Sequence, residues 1–88
     1  MEYLNIYGSE SITDRSISKL AKMCSKIRDL ELGFCELITD IAIKDIAHNL
    51  SDLKYLGLKY CIKISKEALD TLNPDLDIGG YYTIPSAL

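Results

Sequence analysis

Sliding this chain along itself by 26 residues brings three stretches into register. Leu30, Leu32, Ile38, Thr39 and Asp40 fall on Leu4, Ile6, Ile12, Thr13 and Asp14 in one direction. In the other they fall on Leu56, Leu58, Ile64 and Ser65, and Cys35 falls on Cys61. A fixed period in the range of roughly 20 to 50 residues belongs to solenoids, whose units are too small to bury their own apolar faces and stack on their neighbours. With 88 residues in all, the chain holds three such units and part of a fourth. The expected boundaries are 1–26, 27–52, 53–74 and a terminal strand with tail at 75–88, forming one domain.

Within each unit the apolar spacing changes period. Tyr3 to Tyr7, Asp29 to Gly33 and Tyr55 to Lys59 alternate in the manner of half-buried strands. Downstream, Ile17, Leu20, Ala21 and Cys24 recur at i, i+3, i+4 and i+7, as do Ile43, Ile46, Ala47 and Leu50, so each strand leads into an amphipathic helix. Thr13 or Asp14, Thr39–Asp40 and Ser65 stand where helix N-caps belong. Asn73–Pro74 is expected to stop the third helix early, because the residue before proline is driven out of the helical region. Leu76–Asp77–Ile78 follows as a partial fourth strand, with Leu76 aligned on Leu56. Tyr81 to Pro85 reads as a tail folding over the last edge.

Ile27 and Leu53 extend the pattern to L-x-x-L-x-L-x-x-C-x-x-I-T-D, matched through the cysteine and Ile at Cys35 and Cys61, with Ser65–Lys66 closing the third copy and Ser9 at the cysteine position of the first. This run resembles the cysteine-containing subclass of leucine-rich repeats. The resemblance implies an α/β solenoid of about 3.5 strand–helix repeats, with a parallel sheet on the concave face and helices on the convex face. That subclass is typical of the substrate-binding parts of F-box proteins, which bring targets to cullin-RING ubiquitin ligases. It therefore implies a non-catalytic protein–protein interaction module with a ubiquitination target or ligase subunit as partner.

In such a strand Leu30 and Leu32 face the core, while Asp29, Glu31 and Gly33 face outward. Stacking then aligns Tyr3, Asp29, Tyr55 and Asp75 in one column, Asn5, Glu31, Gly57 and Asp77 in a second, and Tyr7, Gly33, Lys59 and Gly79 in a third, with Phe34 and Tyr60 at the rim. Tyrosine offers large contact area at low entropic cost. Tyrosines beside carboxylates suit a polypeptide that presents lysine or arginine. The expected binding residues are thus Tyr3, Asn5, Tyr7, Asp29, Glu31, Phe34, Tyr55, Lys59, Tyr60, Asp75 and Asp77. On this reading Glu31→Lys alters binding alone, and ordinary solvated positions are the alternative for the whole face.

A second function class is a self-associating structural repeat, in which the uncapped N-terminal edge pairs with another copy to give a homo-oligomer. The net charge of −3 gives no general attraction to nucleic acid or anionic lipid, although Arg15, Lys19, Lys22 and Lys26 gather on the first helix and just after it. No glycine-rich phosphate loop, metal-ligand cluster or catalytic spacing accompanies the single His48, so neither cofactor nor enzyme activity is expected. Three cysteines without a C-x-x-C pair read as free, buried thiols rather than a disulfide framework, even though Cys35 and Cys61 stack within bridging reach. Asn49–Leu50–Ser51 is a chance sequon on a buried helix face, and Ser86–Ala87–Leu88 a weak match to a C-terminal peptide ligand. The N-terminus has neither the basic start nor the apolar stretch of a signal peptide, which points to the cytoplasm or nucleus.

Overall fold

The computed structural model describes residues 3–80. Strand and helix alternate along them: β1 (Tyr3–Asn5), α1 (Asp14–Met23), β2 (Asp29–Glu31), α2 (Asp40–Asn49), β3 (Tyr55–Gly57), α3 (Lys66–Leu69) and β4 (Asp77–Gly79). The strands form one parallel sheet in chain order, and α2 packs between α1 and α3. The result is a short leucine-rich-repeat solenoid, with the sheet along the concave side and the helices outside. The tail expected at Tyr81 to Pro85 and the peptide-like Ser86 to Leu88 lie outside the described residues.

Register follows the 26-residue period. Leu4 pairs with Leu30 and Leu30 with Leu56. Each strand is only three residues long, yet the ladder runs on: Leu32 N–H donates to Gly57 O at 2.8 Å and Phe34 N–H to Lys59 O at 2.7 Å. Leu30, Leu32, Ile38, Ile43 and Leu56 are fully buried, and Cys35 and Cys61 lie among them. One apolar ribbon therefore runs through all the units, which is how elements this short remain folded.

Two features differ from the sequence expectation. In α2 the buried face is Ala42, Ile43 and Ile46, continued by Leu50, while Ala47 is exposed. A solenoid helix touches flanking helices as well as the sheet, and the position before Ile43 carries small residues at 26-residue intervals: Ser16, Ala42 and Ala68. The second difference concerns β4. Ile78, not Leu76, pairs with Leu56, which puts Asp77 beside Tyr55. Asn73 builds the turn that sets this register: its side-chain oxygen accepts from Asp75 N–H at 2.9 Å and its carbonyl from Leu76 N–H at 2.9 Å. A shift of two residues leaves the inward face unchanged, so alternation alone does not distinguish the two registers.

The helix starts carry an unforeseen device. Thr39 and Ser65 do cap α2 and α3, accepting from Ile41 N–H at 3.3 Å and Ala68 N–H at 3.2 Å. The acids that follow Thr13 and Thr39 reach forward to the next unit. Asp14 accepts the N–H of Thr39 at 2.8 Å and its hydroxyl at 2.5 Å, and Asp40 accepts the N–H and hydroxyl of Ser65, both at 2.7 Å. These two clasps hold consecutive units together on the helix side of the ribbon.

Candidate protein-binding face

The observed columns are Tyr3–Asp29–Tyr55–Asp77 and Asn5–Glu31–Gly57–Gly79, with Tyr7, Gly33 and Lys59 two residues further along their strands. Tyrosine and carboxylate alternate across all four strands of the first column. Of the residues expected to bind, the strands carry Tyr3, Asn5, Asp29, Glu31, Tyr55 and Asp77, and the turns that follow them carry Tyr7, Phe34, Lys59 and Tyr60, which leaves Asp75 apart. That residue sits in the Asn73 turn, two positions ahead of β4, and Asp77 moves from the second column into the first.

Glycines let the large side chains lie down across the sheet. A Cβ on Gly33 would stand 2.7 Å from the Tyr7 ring. One on Gly57 would meet the Glu31 carboxylate, and one on Gly79 the Tyr55 hydroxyl. Each large side chain thus roofs the glycine of the following strand. Asn5 and Glu31, equivalent in the repeat, also perform equivalent local tasks: Asn5 Oδ1 accepts from Tyr7 N–H and Glu31 Oε1 from Gly33 N–H, both at 2.9 Å. The Tyr55 hydroxyl donates to Glu31 Oε2 at 3.4 Å. Burial, followed by the nearby Glu31 charge, raises the Tyr55 pKa and keeps that hydroxyl a donor. Glu31 is therefore part of the scaffold of the face as well as of its charge.

Along the rim the backbone turns left-handed at Gly8 (φ 76°), Phe34 (φ 63°) and Tyr60 (φ 57°), one position in three successive units. Glycine adopts this conformation freely, whereas the other two positions bear a cost on the order of 1 kcal/mol each. Their rings form a row with Tyr7. Tyr7 and Phe34 meet edge to face at 5.2 Å, Phe34 and Tyr60 at 4.6 Å, and Lys59 Nζ lies 5.8 Å from the Tyr60 ring centre. Tyr3, Tyr7 and Tyr60 remain 58%, 51% and 48% exposed. Arg15, Lys19, Lys22 and Lys26 are exposed on or just after α1, so the basic groups of the first unit lie away from the acidic columns.

The thiols belong to the scaffold. Cys35 Sγ–H donates to Ile6 O at 3.2 Å and Cys61 Sγ–H to Leu32 O at 3.0 Å, each closing off a carbonyl of the preceding unit, and all three cysteines are free. Burial pushes the Cys35 thiol up and the Cys61 thiol up to about 11. A thiol reagent at pH 8 should therefore label Cys24 alone in the native protein and all three thiols after denaturation. Rapid native labelling of Cys61, read by mass spectrometry, would contradict this placement. His48 is exposed on α2, and no group of three or more His, Cys, Asp or Glu side chains among the described residues is arranged to hold a metal ion.

No protein-family profile matches the chain, and no curated protein matches its sequence. A solved structure does match: one chain in the crystal structure of the Rad7 and Elc1 complex in yeast, with a TM-score of 0.78 and 22% sequence identity. The match covers 91% of this chain and 19% of that one, so the chain spans about a fifth of the length of the protein it resembles. At this identity the likeness concerns architecture, and the architecture is that of a leucine-rich-repeat arc.

Proposed function

We propose that the concave sheet is a protein-binding face for a segment rich in lysine or arginine, and that the chain acts by binding rather than catalysis. The observation that carries this reading is the alternating Tyr3–Asp29–Tyr55–Asp77 column beside the ring row Tyr7–Phe34–Tyr60. Aromatic rings provide area and the carboxylates select positive charge. Among whole-protein roles we favour target recognition for an F-box-type ubiquitin ligase, in the cytoplasm or nucleus, where thiols stay reduced. Two things support it: the cysteine-containing repeat pattern and the presence of the matched fold in a complex of two proteins.

The test is quantitative affinity capture with three forms of the protein. Asp29→Lys with Asp77→Lys should deplete specific partners about tenfold or more, while Lys19→Glu with Lys22→Glu on the helical side should retain them. Recovery of cullin-ligase subunits with the unsubstituted protein would support the ligase role. Equal retention by both variants would remove the concave face from consideration. Phe34→Gly gives a finer outcome. It loses two ring contacts, with Tyr7 and Tyr60, worth about 0.5 to 1.5 kcal/mol each, and relieves strain of roughly 1 kcal/mol, so the melting temperature should fall by no more than about 10 °C while binding weakens. A large loss of stability would show that the ring row serves folding instead.

A further inference from the structure

Three carboxylates stand on the strands of the concave face, and they are not equivalent. Glu31 is engaged within the fold, accepting from Gly33 N–H and the Tyr55 hydroxyl. The side chains of Asp29 and Asp77 make no hydrogen bond or ion pair among the described residues. Both belong to the first column, one on β2 and one on β4, with Tyr55 of β3 between them. Two strand spacings, about 9.6 Å, separate them. Tyr3 and Tyr55 are set apart by the same interval. A ligand that crosses the strands therefore meets an acid and a ring in turn, and like groups about 9.6 Å apart.

Peptide conformations return side chains to one face at different intervals. An extended strand does so every second residue, at about 6.6 Å and again at about 13 Å. An α-helix does so at about 5.4 Å per turn, or about 11 Å for two turns. Polyproline II has three residues per turn and a rise of about 3.1 Å, so every third side chain returns after about 9.3 Å, nearest to the interval of the sheet. The chemistry of the face points the same way. Its outward positions carry rings, carboxylates, Asn5, Lys59 and glycines but no aliphatic side chain, so an amphipathic helix finds no apolar groove to enter. Polyproline II leaves its carbonyls without internal partners. Tyr3, whose oxygen accepts from Asn5 Nδ2 at 3.3 Å, keeps its own proton to donate to one. Resting on the reading of the concave face given above, we propose that its ligand is a proline-rich segment in the polyproline II conformation with lysine or arginine at every third position. The segment runs across the strands, so that successive cations meet Asp29 and Asp77 and a proline between them lies against Tyr55.

The probes are two proline-rich peptides, each with two lysines, that differ only in whether the lysines stand three residues apart or two. A third probe is an alanine-based helical peptide with its two lysines seven residues apart. Each is titrated into the isotope-labelled 88-residue protein while the amide resonances of Asp29, Tyr55 and Asp77 are followed by nuclear magnetic resonance. The three-residue spacing should bind about threefold more tightly than the two-residue spacing, or better, and Asp77→Asn should abolish that preference. Equal affinities of the two proline peptides, with shifts still on the concave face, would overturn the polyproline II assignment and leave the face as a site for basic segments. Tighter binding of the helical peptide, or a preference that survives Asp77→Asn, would do the same. If no peptide moved these amides, the reading of the face itself would fall.

Discussion

Leu32→Asp should leave no cooperative unfolding transition. Leu32 is fully buried, its N–H is bonded to Gly57 O, and its carbonyl receives the Cys61 thiol, so it lies at the junction of the second and third units. A carboxylate there has no partner and costs several kcal/mol, against a total stability of about 5 to 10 kcal/mol for a chain of this length. Far-ultraviolet circular dichroism across a urea series should show a gradual slope in place of a sigmoid. The adjacent Glu31→Lys should fold. It will not alter binding alone, as its outward position suggested, because it removes the acceptor of Gly33 N–H and should cost about 1 kcal/mol. A sigmoidal transition of normal midpoint for Leu32→Asp would invalidate the inward assignment of the strand.

Asp40→Asn should give the next largest loss, about 1.5 to 3 kcal/mol, from the two charge-assisted bonds that tie α2 to the cap of α3. Helix α3 is only four residues long, so the clasp matters more there than it would beside a longer helix. The Ser65 N–H, and then its hydroxyl, hold the Asp40 carboxyl below its ordinary value of 3.8. A carboxylate whose folded pKa lies below its unfolded one contributes its full stability above the unfolded value and loses it as pH falls through the folded value. The urea midpoint of the unsubstituted protein should therefore drop as pH falls below 3.8, and Asp40→Asn should flatten part of that decline. An identical acid profile in both proteins would mean that the clasp contributes nothing.

Much of this architecture is legible in the residues. The 26-residue period places Leu4, Leu30 and Leu56 on adjoining parallel strands, and the repeat position of Cys35 and Cys61 puts both thiols inside. What the period conceals is direction between units. Thr13–Asp14 and Thr39–Asp40 read as local caps, and only the fold reveals that each acid serves the following helix. The recurrence of the acid beside a hydroxyl residue that already suffices as a cap was the available signal. Gly33, Gly57 and Gly79 were likewise legible as outward positions, but their use as seats for Tyr7, Glu31 and Tyr55 depends on neighbouring strands. Asp75 was misplaced because Leu76 and Ile78 present the same inward parity, and the turn at Asn73 decides between them.

Methyl–methyl nuclear Overhauser contacts among labelled leucine and isoleucine side chains test the stacking most directly. The account predicts a serial chain of contacts from Leu4 to Leu30, Leu30 to Leu56 and Leu56 to Ile78, with Leu4 and Leu56, two strand spacings or about 10 Å apart, much weaker. A spectrum that links Leu4 directly to Ile78, or leaves Leu30 without contacts to both neighbours, would contradict it.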